Sequence, residues 1–183
     1  EDEWSITDTL ALTAGLRADD HEIYGNHWSP RLYAVWHTSD AVTIKGGVSR
    51  GFRAPEIRNI APGYAYTTGG GGCTYGPNGT CGVIIGDPDL KAETSTSYEI
   101  SAHYNNKAGI QANATLFHTK FKDKISNALV YNADGSYTRW SEDPNYRLWY
   151  SYNIDNATIQ GVELGLTWQP VRTLAFKGNY TFT

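Results

Sequence analysis

The stretch Gly86-Asp87-Pro88-Asp89-Leu90-Lys91-Ala92-Glu93-Thr94-Ser95-Thr96-Ser97-Tyr98-Glu99-Ile100-Ser101-Ala102-His103-Tyr104 passes from turn chemistry into strict alternation. Asp87-Pro88-Asp89 is a turn signal, because aspartates bond their own backbone and proline presets φ. From Thr94 the side chains repeat with period two, the repeat of a β-strand. Tyr98, Ile100, Ala102 and Tyr104 share one face, and Ser95, Ser97, Glu99, Ser101 and His103 share the other. This is a strand with one apolar and one polar side.

Upstream, another strand ends in Gly51-Phe52-Arg53-Ala54-Pro55-Glu56. Pro55 lacks an N–H and so suits a strand's rim. Between the two segments runs a glycine-rich loop of roughly 30 residues, where connections of about 4–6 are usual and longer ordered loops tend to be functional.

The same alternation recurs along the chain. Trp4 and Ile6 lead through Thr7-Asp8-Thr9 to Leu10, Leu12, Ala14 and Leu16; a longer polar loop is expected around Asp20 to Asn26. Leu32, Ala34 and Trp36 are joined by Thr38-Ser39-Asp40 to Val42, Ile44, Gly46 and Val48. After the long loop, Asn105 to Gly109 links the Tyr98 strand to Ile110, Ala112, Ala114 and Leu116. A second excursion runs from Ser126 to Tyr152, with Ala133-Asp134-Gly135-Ser136 as a hairpin tip. Val162, Leu164, Leu166 and Trp168 then turn at Gln169-Pro170-Val171 into Leu174, Phe176, Tyr180 and Phe182. That turn predicts Leu166 opposite Leu174, Leu164 opposite Phe176, and Glu163 opposite Lys177. Leu116 and Phe117 are adjacent large apolar groups that must face opposite ways, an interruption of the pattern.

The reading is an all-β, antiparallel up-and-down segment of about eight strands, with short turns at one end and long loops at the other. Such sorting is the habit of transmembrane β-barrels, whose periplasmic turns are short and extracellular loops long. Lys45, Glu99 and Glu163 fall on the polar parity, which would line the lumen. The alternative is a soluble secreted β-sandwich that binds a ligand or glycan, with exposed Trp and Tyr stacking on sugars.

Composition narrows the classes. The 183 residues carry a net charge of −4, which gives no basic excess for nucleic acid. Six Trp and 13 Tyr suit boundaries that are apolar at one end and wet at the other. No apolar run approaches the roughly 18 residues of a membrane helix. The acidic start Glu1-Asp2-Glu3-Trp4 runs straight into a strand without a signal sequence and reads as an internal cut.

Two cysteines, Cys73 and Cys81, flank Pro77-Asn78-Gly79, and their spacing across a turn predicts a disulfide formed in an oxidising compartment. No metal site is expected, since two cysteines without a histidine in the loop do not complete a tetrahedral zinc site. No catalytic residues are expected either. Gly47-Val48-Ser49-Arg50-Gly51 matches a hydrolase elbow only as a string, because no helix follows. The glycines from Gly69 to Gly72 lack the Gly-Lys-Ser/Thr of a phosphate loop and read as loop slack.

Phe52-Arg53-Ala54-Pro55 before a large loop, and Asp87-Pro88-Asp89-Leu90-Lys91-Ala92-Glu93 after it, resemble the paired hallmark of TonB-dependent outer-membrane siderophore receptors. Leu10 to Gly51 and Phe117 to Glu163 are also similar to receptors of the ferric enterobactin and colicin I type. Ala92 stands where the family often has proline, and Asp87 where asparagine is common. The resemblance implies that residues 1–183 are part of a 22-stranded barrel domain in the bacterial outer membrane, with the plug domain and remaining strands absent. It implies uptake of a ferric siderophore, energised through TonB by way of the absent plug. Iron would enter only within the siderophore, with no cofactor of the protein's own. Outer-membrane lipid would be a partner, and a colicin or phage is a further partner that the resemblance admits.

The loops supply candidate ligand-binding residues. Arg53, Arg58, Tyr64 and Tyr66 belong to the first, and Arg139, Trp140, Arg147 and Trp149 to the second. Guanidinium offers charge and stacking, and the rings offer contact area with little rotamer entropy lost, which suits an anionic, flat, aromatic catecholate complex. The expectation is that both sets converge above the lumen.

Overall fold

The computed structural model describes residues 2–68 and 70–183; Glu1 of the acidic start and Gly69 of the glycine run lie outside them. The strands are β1 (Asp2–Ser5), β2 (Leu10–His21), β3 (Gly25–His37), β4 (Val42–Arg53), β5 (Ala65–Thr68), β6 (Gly82–Ile85), β7 (Glu93–Asn105), β8 (Ile110–Leu129), β9 (Arg147–Val171) and β10 (Leu174–Phe182). One helical turn, α1 (Ile57–Ile60), follows Glu56, and Gly70–Gly72 form a 3-10 turn.

The contacts divide into two compact units. The first takes residues up to Phe52, with Thr94–Phe121 and Ala157–Thr183; the second takes Arg53–Glu93 and Lys122–Asn156. In the first unit the strands pair in the order β1-β2-β3-β4-β7-β8-β9, with β10 on β9. These are the eight strands read from the alternation.

The antiparallel registers place like faces together. Leu10 lies opposite Trp36, Leu12 opposite Ala34, and Leu32 opposite Val48. Large apolar groups on this face stay open: Leu16, Trp28, Leu32, Trp36, Tyr98, Ile100, Leu164 and Leu166 are all exposed. A sandwich would bury this face beneath a second sheet, and among the described residues none covers it. The opposite face groups Tyr33, Ser49, Ser97, Glu99, Thr115, Phe117, Thr119 and Glu163 around one depression.

Two expectations are corrected. The loop foreseen from Asp20 to Asn26 is a tight turn at residues 22–24, because β2 and β3 continue to His21 and Gly25. Gly25 adopts φ 74°, the left-handed conformation that closes such three-residue hairpins. Polar side chains did not end the strands, since backbone pairing is indifferent to their polarity.

The last hairpin turns at residues 172–173, later than foreseen, so Lys177 faces Thr167 and Glu163 faces Thr181. Leu166 faces Gly178 and Leu164 faces Tyr180. Pro170 does not stop β9, because the register shifts between Leu174 and Phe176 and leaves Gln169 and Pro170 in a bulge. There the missing N–H costs no ladder bond.

Leu116 and Phe117 face opposite ways as expected, with Leu116 exposed on the apolar side. Phe117 turns to the polar face and covers Gly161, where a Cβ would stand 2.8 Å from its Cζ. A glycine on the neighbouring strand makes room for the ring.

Candidate functional site

The second unit has a small core of its own. Cys81, Val83, Ile84 and Leu90 are buried there, so this later part of the long loop is packed. β5 pairs antiparallel with β6, and β6 lies parallel to the start of β9, aligning Tyr66, Ile84 and Trp149. Gly82 permits this: a Cβ there would meet the Trp149 indole at 2.7 Å.

Both ends of the loop are pinned by side chains. Asn153 Oδ1 accepts from the Lys91 N–H at 2.8 Å, and its Nδ2 donates to the carbonyls of Lys91 and Asp123 at 3.0 and 2.7 Å. Glu93 accepts from the Ile125 N–H at 3.0 Å. The entry segment folds on Glu56, whose carboxylate reaches Arg58 Nε at 2.6 Å and Arg53 at 3.7 Å.

Cys73 and Cys81 form the foreseen disulfide. Inside it the Gly79 N–H bonds the Gly76 carbonyl at 2.8 Å, and the N–H groups of Thr80 and Cys81 bond the Thr74 carbonyl. Gly76 takes φ 134°, open only to glycine without strain. In the second excursion Tyr131 bridges Tyr137, with Gly135 at φ 82° and Asp134 capping Ser136, as the hairpin reading requires.

The eight candidate residues separate into two sets. Arg53 and Arg58 remain more than half exposed despite Glu56, and Arg58 lies 5.0 Å from the centre of the Tyr66 ring. Tyr66 donates its hydroxyl to Asn59 Oδ1 at 3.1 Å, and Tyr64, exposed, stands 6.4 Å from it between ring centres. This set offers cationic edges and aromatic faces to solvent.

The other arginines brace the disulfide loop. Arg147 Nε donates to the Gly79 carbonyl at 3.0 Å, with its guanidinium 4.0 Å from the Tyr137 ring centre. Arg139 donates to the carbonyls of Gly76 and Gly79 at 3.4 Å. Trp140 meets Tyr146 edge-on at 6.5 Å, and Tyr146 meets Tyr75 at 5.2 Å. The Tyr75 hydroxyl donates to Asp143 at 2.8 Å and accepts from Asn145.

That cluster sets two ionisations. Asp143 is held below the usual carboxylate range, first by the Asn145 backbone N–H and then by the Tyr75 hydroxyl. Tyr75 is pushed up, chiefly because its hydroxyl donates to Asp143. Glu56, Asn59 and Asn153 are residues of the candidate site that composition did not single out. Glu56 was open to detection, standing between two arginines at short spacing; Asn153 had no local signal.

The whole chain, residues 1–183, matches the family model described as TonB dependent receptor-like, beta-barrel. The chain belongs to this family. It is 39% identical over 187 residues to an iron-regulated outer membrane virulence protein of Vibrio cholerae serotype O1, covering all of this chain and 26% of that protein. The ferrienterobactin receptor of Escherichia coli K12 is 32% identical, with all of this chain and 23% of the receptor covered. Among solved structures, the siderophore receptor PirA of Pseudomonas aeruginosa superposes with a TM-score of 0.80 at 29% identity, covering 97% of this chain and 31% of that one. The ferric enterobactin receptor PfeA gives 0.70 at 31%, covering 98% and 25%. The receptor segment thus spans about a quarter of the length of the relatives it matches.

Membership gives the two faces their surroundings. The open apolar face is the lipid side of an outer-membrane barrel, and the face with Glu99 and Glu163 is the lumenal side.

Proposed function

We propose that this chain carries part of the extracellular capture surface of a receptor for ferric siderophores of the catecholate type. Residues 1–183 contribute wall and loops, while the plug and the other strands belong to the rest of the receptor. Transport is energised through TonB, which acts on the plug. The iron is cargo within its siderophore, no cofactor is required, and the chain performs no chemistry on the ligand.

The observation that carries this reading is the cluster on the first long loop of exposed Arg53, Arg58 and Tyr64 with half-buried Tyr66, whose ring centre lies 5.0 Å from the Arg58 guanidinium. The names of the relatives, several for ferric enterobactin, support the same ligand class. An anionic complex with flat catechol rings gains both charge and contact area there.

The test is equilibrium binding of a ferric catecholate to the full receptor with single alanine replacements at Arg53, Arg58, Arg139, Arg147 and Lys45. Loss of a contacting arginine weakens binding roughly ten- to a hundredfold, from about 1.5–3 kcal/mol per charged hydrogen bond. Lys45, opposite Val35 on the lumenal parity, leaves capture unchanged. If no loop arginine moved affinity more than Lys45, the loops would be packing only on themselves.

A further inference from the structure

On the lipid side of the wall, cross-strand contacts define rows. A Cβ at Gly46 would meet Ile100, and one at Gly51 would meet Ser95 Oγ, which sets Val48 beside Tyr98 and Arg50 beside Thr96. Thr119 donates to Ser97 Oγ at 3.0 Å, and the rings of Tyr98 and His118 lie 6.4 Å apart, which sets Lys120 on the other side of Thr96. Arg50, Thr96 and Lys120 therefore stand in one row, directly above Val48, Tyr98 and His118. Two strand spacings separate the cations, about 10 Å.

This row is singular in its charge. On the apolar parity of β4, β7 and β8 up to Lys120, every other position is Val, Ile, Gly, Phe, Thr, Tyr, Ala, Leu or His118. None of these positions on the three strands is a carboxylate. Arg50 and Lys120 are exposed and, among the described residues, form no ion pair or side-chain hydrogen bond. Leu32, Val48 and Tyr98 in the row below, with Pro30 and Arg31 beside them, line a groove of about 470 Å³ that Arg50 and Thr96 border.

We propose that Arg50, Thr96 and Lys120 bind the phosphate of a membrane lipid whose acyl chains lie in this groove. The two cations supply charge-assisted hydrogen bonds, the threonine hydroxyl a third donor between them, and the apolar row beneath receives the chains. A solute anion would meet the cations equally well but would leave the groove unused. The commitment is therefore to a lipid, and it does not depend on the siderophore reading.

The test uses the full receptor in neutral detergent, titrated with diphosphoryl lipid A and followed by native mass spectrometry. Binding should exceed that of zwitterionic phosphatidylcholine, and Arg50→Gln with Lys120→Gln should weaken it at least about tenfold. Arg50→Lys with Lys120→Arg should retain it, and Lys45→Gln, on the other face, should match the parent. Heat-modifiable migration establishes that each variant is folded. Inorganic phosphate should fail to displace the lipid at millimolar concentration. Equal lipid retention by the double glutamine variant overturns the site, and displacement by inorganic phosphate overturns the lipid as its occupant.

Discussion

The Glu56 carboxylate holds Arg58 by a 2.6 Å contact with its guanidinium Nε, and the same carboxylate stands 3.7 Å from Arg53. A ligand anion must therefore compete with a carboxylate already in place. Exposed pairs of this kind contribute about 0–1 kcal/mol. Glu56→Ala should bind a ferric catecholate up to about fivefold more tightly, while Arg58→Ala weakens it. Equilibrium fluorescence quenching on the full receptor reads both. Weaker binding by Glu56→Ala would mean that the carboxylate positions the arginines rather than competing for them.

Arg147 and Arg139 should behave differently, because both already donate to backbone carbonyls of the disulfide loop, Arg147 to Gly79 and Arg139 to Gly76 and Gly79. Arg147→Ala is expected to speed amide hydrogen exchange across Thr74–Cys81. Replacing Cys73 and Cys81 by serine should do so more strongly, since closing a loop this short is worth about 2–3 kcal/mol. Unchanged exchange in both variants would remove the bracing role.

Loop docking should have a plateau in pH with two limbs. Asp143 has a lowered pKa, so its contribution is complete above the ordinary carboxylate value of about 4 and disappears as pH falls through the lowered one. Tyr75 has a raised pKa, so its contribution is complete below about 10 and disappears as pH rises through the raised one. Tyr75→Phe should abolish the alkaline limb and keep most of the acid limb, because the Asn145 N–H is the larger cause at Asp143. Exchange at the residue 143–146 turn, measured against pH, checks both limbs.

Much of the wall was legible in the sequence for a simple reason. A face that meets lipid must be apolar at every second position, and Tyr98 to Tyr104 or Leu10 to Leu16 record that directly. The four-residue strands β5 and β6 were not legible, because they are held by pairing with β9, more than sixty positions away from Gly82 at Arg147. The hairpin tip at Ala133–Ser136 was readable from its own residues, whereas Asn153 acts through the remote backbone of Lys91. The arginines and aromatics of the loops were visible as types. Which of them brace and which face solvent was set by the disulfide turn's free carbonyls.

The last hairpin offers a direct check of register. Cysteines replacing Thr167 and Lys177, which are directly opposed, should cross-link on oxidation of the full receptor. Cysteines replacing Glu163 and Lys177 lie four residues out of register and should not, since a bridge needs Cα atoms within about 7 Å. The reverse pattern would restore the turn at Gln169-Pro170-Val171 and remove the bulge at Pro170.

Gly161 is the position where the wall tolerates least. A Cβ there would press on the Phe182 carbonyl of β10 and stand 2.8 Å from Phe117 Cζ, so one methyl meets a ring on one neighbouring strand and backbone on the other. The ring can rotate away, but the carbonyl is fixed by the β9–β10 ladder that pairs Phe182 with Val162. Overpacking of this kind costs about 1–3 kcal/mol. Gly161→Ala should lower the temperature at which the full receptor loses its heat-modifiable folded form, and Phe117→Ala added to it should restore only part of the loss. Complete restoration would assign the whole cost to the ring. No loss at all would mean that β9 and β10 separate freely at this end, contrary to the register that places Gly161 beneath the Phe182 carbonyl.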